Sequence, residues 1–158
     1  MTKQDKKDLI NILKTITETK ITKRLLKKLE KEFKPISVRS RKNKGSTFQK
    51  EVRNKISEII ELPWGTDDEA LIASRQMGQQ GVDIVLREEA TKRFPFACEV
   101  KNQEALSWWE AIKQAKMNKG NFKYWILFVK KNKETPVVLL DMNDFFELYK
   151  DLLDNKKE

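Results

Sequence analysis

From Lys6 to Phe33, apolar residues recur at three- and four-residue steps: Leu9, Ile12, Leu13 and Ile16, then Ile21, Leu25, Leu29 and Phe33. That period belongs to the α-helix, and the pattern predicts two basic amphipathic helices, with Thr19 or Thr22 available to cap the second. After Pro35, the run Val38-Arg39-Ser40-Arg41-Lys42-Asn43-Lys44-Gly45 has too few apolar positions to pack and reads as a basic linker. Helical spacing resumes at Phe48, Val52, Ile56, Ile59 and Ile60. It follows a capping-box pattern at Ser46-Thr47-Phe48-Gln49 and stops at Leu62-Pro63-Trp64-Gly65.

Beyond a polar loop at Thr66-Asp67-Asp68-Glu69 and a glycine- and glutamine-rich stretch from Ser74 to Gly81, the pattern changes. Val82-Asp83-Ile84-Val85-Leu86 and Phe96-Ala97-Cys98-Glu99-Val100-Lys101 are short apolar runs, each interrupted by an acid. The charged segment Arg87–Arg93 between them suits a hairpin connection. A second capping-box pattern at Ser107-Trp108-Trp109-Glu110 opens a helix that Gly120 should end, with Trp108, Ile112 and Ala115 on its inner side. Phe122–Val129 and Pro136–Leu140 are β-branched and aromatic runs, hence strands. Asp141 then caps a closing helix whose apolar face is Phe145, Phe146, Tyr149, Leu152 and Leu153. The resulting order is helix, strands, helix, strands, helix, an α/β domain with at least four strands behind an N-terminal basic helical extension. The expected division is 1–44 for the arm and linker and 45–158 for the domain.

Charge sharpens that division. The chain of 158 residues has a formal net charge of +9, unevenly spread: residues 1 to 50 hold 16 Lys+Arg against 5 Asp+Glu, and the remainder 17 against 19. A basic arm on a nearly neutral domain fits a polyanion partner, because each phosphate neutralised by Lys or Arg releases counterions. Arg39, Arg41, Lys42 and Lys44 in the linker are the candidate DNA contacts.

The absence of histidine and the single cysteine, Cys98, exclude an internal disulfide, a zinc site of nitrogen and sulfur ligands, serine–histidine triads and histidine general bases. Any metal must be held by oxygen. No apolar run approaches the roughly 18 residues of a membrane span, and no secretory signal is present, so a soluble cytoplasmic protein with no membrane partner is expected.

Glu-x-Lys occurs at Glu18-Thr19-Lys20 and Glu32-Phe33-Lys34 as well as at Glu99-Val100-Lys101. In a helix, residues two apart diverge by about 200°, whereas in a strand they share a face. Only Glu99 and Lys101 can therefore act on a common target. Burying both beside a core demands compensation, which Asp83 on the neighbouring strand can supply. Carboxylates plus a backbone carbonyl make the hard oxygen shell that Mg²⁺ prefers. Lys101 would orient water or stabilise phosphate charge. The competing reading is a purely structural ion-pair cluster.

These residues resemble the PD-(D/E)XK nuclease superfamily, with Asp83 at its first acid and Glu99-Val100-Lys101 at its (D/E)-x-K element; Val82 replaces the proline of the motif name. The resemblance spans roughly Gly45 to Leu153. It implies a restriction-endonuclease-like core with a mixed central sheet flanked by helices, and Mg²⁺, with Mn²⁺ able to substitute, held by Asp83, Glu99 and the Val100 carbonyl. The stretch from Gly45 to Glu51 is similar to the opening helix of archaeal and phage Holliday junction resolvases. That likeness makes Glu51 a candidate metal ligand, Ser74 and Arg75 candidate substrate contacts, and a phage-encoded origin conceivable. Gln114 is similar to a helix-borne glutamine near the site in some branches, although Asn118 stands where one branch has tyrosine.

The expected activity is Mg²⁺-dependent endodeoxyribonuclease, a homodimeric Holliday junction resolvase cutting branched DNA. The alternatives are a less structure-selective endonuclease acting on linear duplex or flaps, and a non-catalytic DNA-binding module on a nuclease-like scaffold. Trp108 and Trp109 could stack on opened bases, though one of them should be core.

Overall fold

The computed structural model describes residues 2–15, 20–33, 37–76 and 78–156. Two compact units divide at Ser40/Arg41, four residues ahead of the expected boundary. The first contains α1 (Lys3–Thr15) and α2 (Lys20–Phe33), as the periodicity predicted. Thr2 and Asp5 cap α1 reciprocally: the Thr2 amide donates to Asp5 Oδ2 at 2.7 Å and the Asp5 amide to Thr2 Oγ1 at 3.1 Å. Thr19 and the Thr22 side chain, the expected caps of α2, lie outside the described residues.

The basic run expected as a linker is instead the first part of a 23-residue helix, α3 (Val38–Ile60). Arg and Lys are good helix formers, and a helix start needs solvated side chains no less than a linker does, so a shortage of apolar residues did not distinguish the two. The cap is Ser37, whose Oγ accepts the Ser40 amide at 3.1 Å. The pattern at Ser46–Gln49 is helix interior, where Thr47 Oγ1 donates back to the Asn43 carbonyl at 2.9 Å.

The second unit is a mixed α/β fold with one open five-stranded sheet in the order β1 (Ile72–Ser74), β2 (Ile84–Leu86), β3 (Phe96–Asn102), β4 (Tyr124–Lys130) and β5 (Val137–Leu139). Strand β1 was not expected; three residues are too few to show a period. The β1–β2, β2–β3 and β4–β5 pairs are antiparallel. β3 and β4 are parallel and joined through α5 (Trp108–Met117). β2 and β3 are antiparallel neighbours as the hairpin reading expected, but their connection carries a short helix, α4 (Glu88–Arg93), which buries Ala90.

Side-chain alternation in β3 and β4 divides the core into two layers. On one face Cys98 and Ile126 pack with Phe48, Val52, Ile56 and Ile60 of α3. On the other, Trp125, Leu127 and Val129 pack with Ala111 and Ala115 of α5. The expected inner position of Trp108 is wrong: it is half exposed, and the alanines take the inner face because small side chains let the helix lie close to the sheet. The chain closes with α6 (Met142–Asp154), capped by Asp141 Oδ1, which accepts the Asn143 amide. No helix among the described residues is long and apolar enough to cross a membrane.

Candidate functional site

Alternation in β3 turns Ala97, Glu99 and Lys101 toward α5 while Cys98 enters the opposite layer. Burial pushes the Cys98 thiol up, so it is an inert core residue. Glu99 is only 2% exposed, and the Lys101 ammonium lies 2.7 Å from its Oε1. Lys101 Nζ also donates to Gln114 Oε1 at 2.9 Å, which places the helix-borne glutamine beside the lysine.

Asp83 stands one residue before β2, where pairing with β3 is limited to Ile84 and Cys98. Its amide donates to the Cys98 carbonyl at 2.8 Å, and its carboxylate Oδ2 accepts the Val100 amide at 2.7 Å. Burial first, and the negative charge of Glu99 second, push the Asp83 carboxyl up to about 6; the Val100 amide, Lys101 and Arg75 pull the other way. Asp83, Glu99, Lys101 and Gln114 thus form one group.

Two residues to which the sequence reading gave no role in the site hold this group in place. Gln49, 7% exposed on α3, donates from one amide nitrogen to the carbonyls of Asp83 at 2.6 Å and Arg75 at 3.0 Å. Asn118, just past α5, donates to Glu99 Oε2 at 3.1 Å and to the Gly81 carbonyl at 3.1 Å. With Arg75 Nε donating to the Val82 carbonyl at 2.7 Å, the loop before β2 is tied down from three sides. Gly81 has φ +107, a conformation suited to glycine, and the Arg75 guanidinium lies against it. Gln49 was detectable: Gln49, Arg53, Ile56 and Ile60 fall on one helical stripe, which makes the glutamine an inward polar group. No local pattern flags Asn118, because its partners are distant in sequence.

The remaining candidates have other side-chain partners or none among the described residues. Glu51 Oε2 accepts from Lys130 Nζ at 2.7 Å, and among the described residues no three His, Cys, Asp or Glu side chains gather as a metal-holding group. The Ser74 hydroxyl is buried with no hydrogen-bond partner among the described residues, so it does not face a phosphate as expected. Arg75 turns its Nε inward to the loop. Lys44 is not on a linker: its Nζ donates to Asn132 at 3.0 Å and its carbonyl accepts from Asn102 at 3.2 Å. Arg39 and Lys42 are exposed on α3, and the side chain of Arg41 lies outside the described residues.

The oxygen donors suit a hard divalent cation. Asp83 and Glu99 are close enough for one charge to raise the pKa of the other, a repulsion that a cation relieves. A strand residue directs its amide and carbonyl to the same neighbour, so the Val100 carbonyl faces the Asp83 side along with its amide. Asp83, Glu99 and the Val100 carbonyl are the groups that would hold Mg²⁺.

A cleft of about 440 Å³ is lined by Gln103, Leu106, Trp108, Val129 and Lys131 among others. Trp108 is 47% exposed and Trp109 82%, so neither is core. No protein-family model, no curated protein and no solved structure matches the chain.

Proposed function

We propose that the protein is a metal-dependent endodeoxyribonuclease of the PD-(D/E)XK type, with a restriction-endonuclease-like core, that hydrolyses phosphodiester bonds of branched DNA in the manner of a Holliday junction resolvase. The observation that carries this reading is the grouping of Asp83, Glu99 and Lys101 against α5, with Gln114 on the lysine. A buried carboxylate pair is costly to maintain and needs a compensating role. With its pKa near 6, Asp83 is mostly ionised at neutral pH and ready to bind a cation.

In this reading Asp83, Glu99 and the Val100 carbonyl would hold Mg²⁺ or Mn²⁺, which would supply Lewis acidity for phosphodiester hydrolysis. Lys101 offers three donor hydrogens, enough to keep Glu99 and Gln114 while directing one toward the attacking water or the scissile phosphate. Asn118 holds the second oxygen of Glu99 and keeps the carboxylate from rotating. The basic arm contributes sequence-independent DNA affinity. Two strands are cut by the two sites of a homodimer.

The test offers purified protein four-way junction, flap, single-stranded and linear duplex DNA of shared sequence with Mg²⁺. Paired symmetric nicks confined to the junction are expected. Binding without cleavage on all four substrates would replace the enzyme reading with that of a DNA-binding scaffold.

A further inference from the structure

Helix α6 carries its amphipathicity the wrong way round for a helix that closes a domain. At 100° per residue, Met142, Phe145, Phe146, Tyr149, Leu152 and Leu153 fall within one stripe about 120° wide. All six are exposed, from 44% for Leu153 to 69% for Met142, and α6 buries no residue at all. Its side-chain hydrogen bonds and ion pairs come from the other side, which also carries the half-buried Leu148. Glu147 accepts from the Tyr124 hydroxyl at 3.0 Å and pairs with Lys123 at 2.8 Å, and the Asp141 cap meets Lys116 at 3.2 Å. Glu147, itself half exposed, thus ties the helix to Tyr124 and Lys123, while the aromatic stripe is left open to water. Within the stripe, Phe145 packs edge-on to Phe146 at 5.4 Å and stacks with Tyr149 at 6.2 Å, a single continuous surface.

A 13-residue helix is marginal in water by itself, and most helical stability comes from packing of an apolar face. We infer that the outward stripe of α6 packs against the same stripe of a second copy of this chain, about a two-fold axis.

Three properties favour that occupant. The stripe holds no charged residue between Met142 and Leu153, so a copy of itself meets it without an unpaired charge. The polar side of the helix carries Asp144, Glu147, Asp151 and Asp154 against Lys150 alone, an acidic face that opposes both nucleic acid and an anionic lipid surface. The area suffices: aromatic side chains offer about 150–250 Å² each, so six large residues exposed by about half approach the roughly 800 Å² per partner of a standard interface. A two-fold interface uses one patch twice, and a helix with Tyr149 near its middle can cross its copy there. The inference names the interface of the homodimer in the proposed function and rests on that reading for the second copy: a monomer overturns both, whereas a dimer that cleaves no DNA overturns the nuclease reading alone.

Sedimentation of the full chain over a concentration series tests it. The wild type is expected to be a dimer, and Phe146→Asp combined with Leu152→Asp to be a monomer with unchanged circular dichroism, because neither side chain is buried in the protomer. Ile59→Asp, at another exposed apolar position, should leave the dimer intact. Since the single native thiol is buried, Tyr149→Cys should give a disulfide-linked pair on oxidation, and Ile59→Cys should not. A wild-type monomer at high micromolar concentration overturns the proposal. So does a dimer that survives the double substitution, or loss of fold in that variant, which would place the stripe inside the protomer.

Discussion

The carboxylate of Asp83 accepts the backbone amide of Val100 at 2.7 Å, joining the residue before one strand to the centre of the next where the ladder between them has run out. A side chain thus substitutes for a missing backbone pairing, and the acid is positioned by β3 itself. Asp83→Asn keeps an acceptor for that amide and removes the charge. It should fold normally and lose DNA cleavage by at least about 100-fold while retaining DNA binding. Full cleavage in this variant would remove Asp83 from the site.

The same residue predicts a dependence of stability on pH in metal-free protein. Its folded pKa is raised from 3.8 to about 6, so between those values the folded state binds more protons than the unfolded. Its contribution is most favourable below about pH 4 and is lost as pH rises through 6. Asp83→Asn should therefore stabilise the metal-free protein at pH 8 by about 1–3 kcal/mol, allowing for its partial exposure, and by nearly nothing at pH 4. Denaturant unfolding in EDTA at the two pH values measures the difference.

Glu99 is buried and its partner Lys101 partly so, and removing the lysine strands the acid. Lys101→Met should destabilise the fold by about 3–5 kcal/mol, and adding Glu99→Gln should recover most of that loss. Cleavage should be absent from both variants. Thermal unfolding distinguishes this from an exposed ion pair, which would change stability by less than about 1 kcal/mol.

Asn118 touches Glu99 and the Gly81 carbonyl rather than the expected position of the substrate. Asn118→Ala should reduce cleavage about 10–100-fold and raise the Mg²⁺ concentration needed for half-maximal rate. A drop in rate with unchanged Mg²⁺ dependence would argue against a positioning role.

The basic arm should act through charge. Deleting residues 1 to 36, which leaves the Ser37 cap of α3 in place, should weaken DNA binding and flatten the slope of log affinity against log salt. An unchanged slope would make the arm a packing element.

The exposed tryptophans should meet unpaired bases. Trp108→Ala should weaken single-stranded oligonucleotide binding by about 1–3 kcal/mol, with duplex binding less affected, and Trp108→Phe should restore most of it. Equal loss on both DNAs would remove stacking from the account.

Period and charge along the chain determined the order of helices and strands apart from β1 and α4, the concentration of positive charge near the N-terminus, and that Glu99 and Lys101 share one face of β3. Each follows from local geometry, since strand alternation and helical spacing act over a few residues. Tertiary structure decided the rest. The basic run at 38–45 is helical, Ser74 faces inward, and Gln49 and Asn118 reach the loop before β2 across 34 and 37 residues of sequence. The orientation of α6 was equally hidden: its stripe was plain in the sequence, but whether it faced the sheet or solvent depended on Tyr124 and Lys123 holding Glu147. An amphipathic pattern says that a face will be covered, and only the packed chain shows whether its own core does the covering.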